Sequence, residues 1–445
     1  MIPLIVKHMR KKITTIALLS VLVCAILIGV YQMPPVHDRL AWRFEEFGLR
    51  VGYLLNPPAK AVFVPTEQGL AKPQVTVISA ASPTLPAAPS PTPASPGLTE
   101  TPEPSTTPTQ ASTPVPEKVV LSGVKYEDQH GRWNYCAPAN LAMALSYWGW
   151  QGNRDVVGPV IKPDEKDKNV MPYEMENYVN EQTDLSVVVR AAGDVDLLRR
   201  FIAAGYPVLV EKGTYLRDLT GVVSWMGHYQ VVTGYDDAGG YFITQDSFVE
   251  RDHQVTVEEM VSGWRAFNYT YMVVYPADRE TEVLALLGPD ADETANIQNA
   301  ALKASNEIYG LSGIDQYFAW FNRGSSLSAL EDYSGASAAY DESFKVYPNI
   351  PEGERPWRML WYQTGPYFAY FGAGRYYDLL YLADATLTAM QGDKNLEESY
   401  YWRGMAKAAL EDRDGAVQDY LTSLQYHPGF GPALYQLQLL GVDNP

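Results

Sequence analysis

From Pro73 to Pro116 the chain is almost wholly Pro, Ser, Thr and Ala, as in SPTLPAAPSPTPASPGLTETPEPSTTPTQASTPVP. With almost no large apolar residues, such a stretch cannot bury a core. Its prolines fix φ and keep the backbone extended. Residues 73–117 therefore read as a disordered, semi-rigid linker. They divide the 445 residues into a short leading part and a long remainder in which any folded core must be built.

The leading part opens with a basic cluster, Lys7, Arg10, Lys11 and Lys12, followed by the uncharged run ITTIALLSVLVCAILIGVYQM from Ile13 to Met33. About 20 apolar residues span a hydrocarbon core of about 30 Å. Basic residues ahead of a span place its N-terminal side in the cytoplasm. No small-x-small site closes the run, which favours an uncleaved anchor over a cleaved signal peptide. Residues 1–33 thus predict a basic cytoplasmic stub and a single N-terminal transmembrane helix. The chain would be a single-pass protein of the cell membrane, with everything after the span extracellular. Cys24 reads as an apolar membrane residue, because Val23 stands where lipid attachment wants a small one. Within residues 34–72, Leu40, Phe44, Phe47, Val51 and Leu54 recur at helical spacing. That amphipathic helix lies either on the membrane surface or against protein. The linker then reaches on the order of 100 Å at most, at about 3.1 Å per residue.

Composition allows a sizeable core after the linker: 46% of residues are hydrophobic and 12% aromatic. A net charge of −18 argues against nucleic acid as a partner. The two cysteines, Cys24 and Cys136, lie in unlike contexts, which argues against a disulfide framework. Residues 118–278 mix helix and strand. PVLVE (207–211), YQVVTGY (229–235), YFITQ (241–245) and YMVVY (271–275) are short, β-branched or aromatic, and bounded by turn residues. The stretch from Ala137 to Trp148 has helical spacing, and the mixture predicts an α+β domain.

Residues 290–445 read as all-α and carry an internal repeat. AWFNRGSSLSALEDYSGASAAYDESFKVYP (319–348) aligns without gaps on YYWRGMAKAALEDRDGAVQDYLTSLQYHP (400–428). Gly324 falls on Gly404, Gly335-Ala336 on Gly415-Ala416 and Tyr340 on Tyr420, and a weaker copy between them turns at Gly374-Arg375-Tyr376. The pattern resembles the tetratricopeptide repeat. That resemblance implies a short curved array of helical pairs, which either binds peptide or protein or only stabilises its neighbour.

Chemistry concentrates around Cys136. It stands where the helix should begin, with Pro138 suited to the first turn. Free N–H groups and the helix dipole there favour a thiolate. A thiolate needs a base. Of the six histidines, His8 and His37 lie near or before the apolar run, His427 belongs to a repeat, and His130 is in the same loop as Cys136. His228 opens a strand, where an imidazole can be held against a helix N-terminus. Asp246 ends the next strand, and the turn Asp236-Asp237-Ala238-Gly239-Gly240 makes the two strands a hairpin. An acid there would fix the imidazole tautomer; Asp236 and Asp237 compete for that role. His130 and His253 are too isolated for a zinc spacing, so no metal or other cofactor is expected. Trp133, Tyr135, Trp225, Tyr229 and Trp264 either line a cleft or fill the core.

Gln129, then Cys136-Ala137-Pro138-Ala139, then Gly227-His228-Tyr229 through Thr233-Gly234-Tyr235-Asp236, then Asp246, resembles the papain-like cysteine peptidases of the bacteriocin-processing, double-glycine-leader type. Among these it is most similar to the stand-alone members. The resemblance covers about residues 119 to 276. It implies a papain-like fold and a Cys136-His228-Asp246 triad. It also implies that Gln129 and the backbone N–H of Cys136 donate to the oxyanion. The family commonly has Gly after the Cys, where this chain has Ala137. The implied function is an outward-facing cysteine peptidase that cleaves peptides or proteins, its repeat array holding substrate or a protein partner. A papain-like scaffold that binds peptide without turnover, and acyl transfer or deamidation by the same triad, are the alternatives.

Overall fold

The structure, a computed structural model, describes residues 19–24, 28–30, 32–33, 47–55, 58, 62–66, 115–217 and 222–442. In chain order the first domain contains β1 (Lys118–Val120), α1 (Cys136–Tyr147), α2 (Arg154–Ile161), α3 (Pro172–Gln182), β2 (Leu185–Arg190) and α4 (Val195–Ala203). It continues with β3 (Val208–Arg217), β4 (Val223–Asp236), β5 (Tyr241–Gln245), β6 (His253–Thr256), α5 (Val257–Arg265) and β7 (Tyr271–Pro276). The strands form one antiparallel sheet in the order β2-β7-β3-β4-β5-β6, with β1 beside the end of β4.

Alternate strand residues face opposite sides, and both faces of this sheet are covered. Helices α1 and α3 pack Leu141, Leu145, Met175 and Val179 against Leu209, Val231 and Met272. On the other face α4 and α5 pack Leu198, Phe201, Met260 and Trp264 against Val208, Val210 and Val232. Strands β3 and β4 run well past the apolar stretches that announce them. They pair from Val208 opposite Val232 to Arg217 opposite Val223, carrying Glu211, Lys212, Ser224 and Gly227 into the sheet. His228 is therefore inside a strand rather than at its start. The β4–β5 hairpin closes with Asp236 opposite Tyr241.

The second part is helical: α6 (Glu280–Leu287), α7 (Glu293–Ile308), α8 (Gly313–Ala329), α9 (Tyr333–Val346), α10 (Met359–Tyr362), α11 (Gly365–Gly372), α12 (Tyr376–Ala389), α13 (Glu397–Ala409), α14 (Arg413–Tyr426) and α15 (Gly431–Leu439). The pairs α8–α9 and α13–α14 repeat the same contacts. A Cβ on Gly324 would lie 2.8 Å from the Tyr340 ring, and one on Gly404 would lie 2.7 Å from the Tyr420 ring. Asp332 and Asp412 cap the second helices by accepting from the N–H of Gly335 and Gly415, at 2.9 and 3.0 Å. In the middle copy α11 and α12 meet at Gly374, whose φ is +72°. The helical region thus fits a repeat array.

Two parts of the chain before residue 115 rest on this array. Phe63 meets the ring of Phe344 edge-on at 5.1 Å, and Thr66 donates from N and Oγ1 to Asp378 Oδ1 at 2.9 and 2.7 Å. In the helical residues 47–55, Tyr53 approaches Trp357 at 5.7 Å. That segment lies against protein, although Phe47, Leu54 and Leu55 are exposed.

The expected transmembrane helix is corrected. Among the described residues no helix is long and apolar enough to cross a membrane. Within 13–33 the described helical pieces are 19–24 and 28–30. The rest of that run, residues 34–46 and the linker residues 73–114 lie outside the described residues. The single-pass placement with extracellular domains, which followed from that helix, falls with it.

The repeat contacts give a direct test. Gly404→Val forces the Tyr420 ring away and should cost about 1–3 kcal/mol, the range for overpacking a filled core. The urea midpoint of the full chain should fall accordingly, and an unchanged midpoint would refute the close approach.

Candidate active site

Helix α1 begins at Cys136 itself, and its N-cap residue, Tyr135, makes no side-chain capping bond. First-turn N–H groups are thus left for other partners. The loop that delivers the chain to this point turns through Gly131 and Asn134, with φ of +82° and +45°. Side chains from elsewhere pin it: Asn134 Nδ2 donates to Asp167 O at 3.0 Å, and the buried Lys162 donates to Trp133 O at 2.8 Å.

His228 is delivered by β4. At Gly227 a Cβ would meet the Phe267 ring at 2.7 Å and the Tyr362 ring at 3.0 Å, so only glycine lets both rings close over the strand beside the imidazole. Asp246 follows β5 directly. His228 Nε2 lies 2.8 Å from Asp246 Oδ1, and both side chains are buried, at 2% exposure. The same Oδ1 accepts the N–H of Phe248 at 2.8 Å and of Val249 at 3.1 Å, while Oδ2 accepts from Gln230 Nε2. With Nε2 committed to the acid, Nδ1 is left for Cys136, whose thiol hydrogen-bonds to the imidazole.

Burial pushes the Cys136 thiol up. The hydrogen bond and charge of His228, with the N–H groups of Tyr229 and Ala137, outweigh it and hold the thiol below its ordinary value. Burial disfavours the His228 cation, but Asp246 and the Cys136 sulfur more than compensate and raise it to about 10. Burial likewise works against Asp246; the imidazolium and the N–H groups of Phe248 and Val249 hold the carboxyl well below the usual range. All three shifts favour the charged form of each group: thiolate, imidazolium and carboxylate.

Gln129 joins this group through a residue that sequence reasoning missed. Ser247 Oγ donates to Gln129 Oε1 at 2.8 Å and accepts from Asn140 Nδ2 at 2.9 Å. Asn140 is fully buried on α1 and also donates to Cys136 O and Tyr229 O, at 2.9 and 2.8 Å. The chain Asn140–Ser247–Gln129 orients the amide so that its Nε2 is the free donor. Asp236 and Asp237 drop out as partners for His228. The first pairs with Lys118 at 2.7 Å and the second with Arg199 at 2.6 Å.

Gln129, Cys136 and His228 line a cleft of about 220 Å³, with Trp133, Glu211, Arg358 and Tyr362 among its walls. Of the aromatics noted in the sequence, Trp225, Trp264 and Tyr135 are core; Trp133 and Tyr229 line the cleft. Glu211 has no sequence signal. Burial pushes its carboxyl well above the ordinary range. Tyr229 Oη donates to Val170 O at 3.0 Å and is also a hydrogen-bonding neighbour of that carboxyl.

A thiol at a helix N-terminus, an imidazole across from it on a strand and a buried acid behind the imidazole thus come together at one cleft. Residues 121–272 match the model of the Peptidase_C39-like family, and this segment is a C39-like domain. A solved structure from Bacillus anthracis, assigned as a C39-like peptidase, is 18% identical and covers 36% of this chain and 98% of its own, with a TM-score of 0.28. No curated protein matches the chain.

Two tests follow from the electrostatics. Iodoacetamide should alkylate Cys136 in the Cys24→Ser chain well below the free-thiol value of about 8.5. His228→Ala should return the profile to that value, and coincident profiles would refute the ion pair. The second concerns stability. His228 has its folded value raised, so its contribution is full below its unfolded value of about 6.5 and is lost as pH rises through about 10. The urea-stability gap between wild type and His228→Gln should therefore narrow from pH 6 to pH 10; a gap that widens would overturn the assignment.

Proposed function

We propose that this chain is a cysteine peptidase acting on peptide or protein substrates, with Cys136 as nucleophile, His228 as proton carrier and Asp246 as the group that orients it. The observation that carries this reading is the buried His228–Asp246 pair hydrogen-bonded onward to Cys136 at a cleft. The thiolate attacks the scissile carbonyl, and a C–S bond forms as the π electrons move to oxygen. Gln129 Nε2 and the Cys136 N–H stabilise that oxyanion. Collapse expels the amine, which takes its proton from His228. Water then attacks the thioester with His228 as base, releasing the acid and restoring the thiol.

The helical region belongs to this proposal as a substrate-binding wall. Arg358 and Tyr362 come from it and stand in the cleft with Cys136. Arg358 donates to Ser224 Oγ at 2.6 Å and to Trp225 O at 3.1 Å, on the strand that delivers His228. A peptide entering the cleft would therefore touch both parts of the chain.

The test is cleavage of a mixed peptide library by the full chain, read by mass spectrometry. Wild type should yield products that Cys136→Ala does not. Gln129→Ala should retain low activity, with kcat lowered about 10²–10³-fold, as for loss of one oxyanion donor. Absence of turnover in a wild type whose thiol alkylates readily would replace the peptidase reading with peptide capture, and ligated or deamidated products would replace hydrolysis with another acyl transfer.

A further inference from the structure

A second cluster of ionisable side chains lies away from Cys136, between the two parts of the chain. Glu174 is in the first turn of α3, in the C39-like domain. Glu397 opens α13, and His427 follows α14; both belong to the helical region. One carboxylate oxygen from each glutamate and one ring nitrogen of His427 lie within 4.8 Å of one another. In the sequence His427 reads only as part of a repeat, because Glu174 is far from it along the chain.

We propose that Glu174, Glu397 and His427 form a site for a divalent transition-metal ion that joins the C39-like domain to the helical region. Three features support it. First, Glu397 is 2% exposed, and only its Oε1 is satisfied, by His427 Nδ1 at 2.9 Å. Its Oε2 is buried with no hydrogen-bond partner among the described residues. A buried carboxylate oxygen left bare is costly, and a cation at this point relieves it. Second, the three atoms are close enough to converge on one ion. Metal bonds of about 2.0–2.2 Å in tetrahedral geometry set ligand atoms roughly 3.3–3.6 Å apart, which small side-chain adjustments reach from the present separations. Third, the cluster opens on a cavity. Glu174 and His427 line a space of about 610 Å³ between the two parts of the chain, walled also by Tyr173, Thr364 and Trp402. Three protein ligands with access to an open space leave room for water or an external ligand at a fourth position.

The donor set points to the kind of ion. Imidazole with two carboxylates suits zinc and its neighbours, whereas magnesium and calcium take oxygen donors alone. Glu174 Oε2 accepts from Met171 N at 2.7 Å, which anchors that carboxylate to the start of its helix. Such second contacts hold ligands in place before the metal arrives. Nearby, Lys166 pairs with Asp393 at 2.8 Å and Asn395 Nδ2 donates to Asp164 at 2.8 Å across the same boundary. The metal would thus reinforce a junction that is already polar.

The test uses the full chain with Cys24→Ser and Cys136→Ser, so that neither thiol competes for metal. The protein is stripped with EDTA and dialysed against micromolar Zn²⁺. Bound metal is counted by elemental analysis, and thermal unfolding is followed with and without zinc. One zinc per chain and a raised midpoint are expected. In this background His427→Gln and Glu174→Gln should each weaken binding by roughly ten-fold or more, since losing a ligand should cost at least what losing an outer-shell partner does, and should erase the zinc-dependent rise. Circular dichroism without metal establishes that each variant is folded, and a variant that is not leaves the decision to the other. Failure of the parent to take up stoichiometric zinc, or uptake unchanged in a folded variant, would overturn the site. Neither outcome bears on whether Cys136 is a nucleophile.

Discussion

A carboxylate buried to the degree of Asp246 survives as an ion only if every lone pair that faces the protein is answered. Here the answers come from four directions: His228, Gln230 and the N–H groups of Phe248 and Val249. The geometry of the cleft follows from that requirement. His228 and Gln230 must be on one strand, two residues apart. Residues 246–249 must turn sharply so that their N–H groups face back, and the hairpin before them must hold its register. With Nε2 fixed by Asp246, the imidazole can offer only Nδ1 to Cys136. The tilt of His228 toward its cation thus depends on the partners that keep one buried acid charged.

The cleft is not the property of one domain. Trp225 on β4 stacks with Phe267 at 5.9 Å and meets Tyr362 edge-on at 6.0 Å, in a single apolar cluster that runs on into the repeat helices. Polar contacts follow the same seam. Asn322 donates to Arg265 O at 2.7 Å, and Gln363 donates to Ala266 O at 2.8 Å. Both acceptors lie in the C39-like domain and both donors in the helical region. Support of this kind behind β4 restricts how far the histidine-bearing strand can shift when a substrate presses on it.

Much of this arrangement can be read before any coordinates are seen, and the reasons are local. Cys136 precedes a helical apolar pattern with Pro138 in its first turn, and YFITQ is bounded by a turn and an acid. Such signals need only a few neighbouring residues. The repeat is legible for the same reason, since Gly404 and Tyr420 must recur wherever the same two helices pack. What stays hidden depends on distant partners. Asn140 reads as an ordinary polar residue on a helix until Tyr229 O and Ser247 Oγ converge on it. Glu211 reads as a strand end and Ser224 lies outside every strand the sequence announces, yet pairing between β3 and β4 carries both into the sheet. Tyr362 has no signal at all, because its importance lies in a glycine more than a hundred positions earlier. The apolar run at 13–33 shows the opposite failure: hydropathy alone promised a long helix that the described residues do not contain.

Gly227 has a consequence for how such a chain can change over generations. Its missing side chain is the space that Tyr362 occupies, so the two positions are locked to each other across the boundary where the C39-like match ends. A shuffled gene that paired this C39-like half with a different helical half would leave a void beside the histidine. A helical half fitted with a larger ring there would press on the strand instead. The two halves must therefore be inherited as a matched set, and the seam between them is a poor place for recombination even though it looks, by sequence, like the natural place to cut.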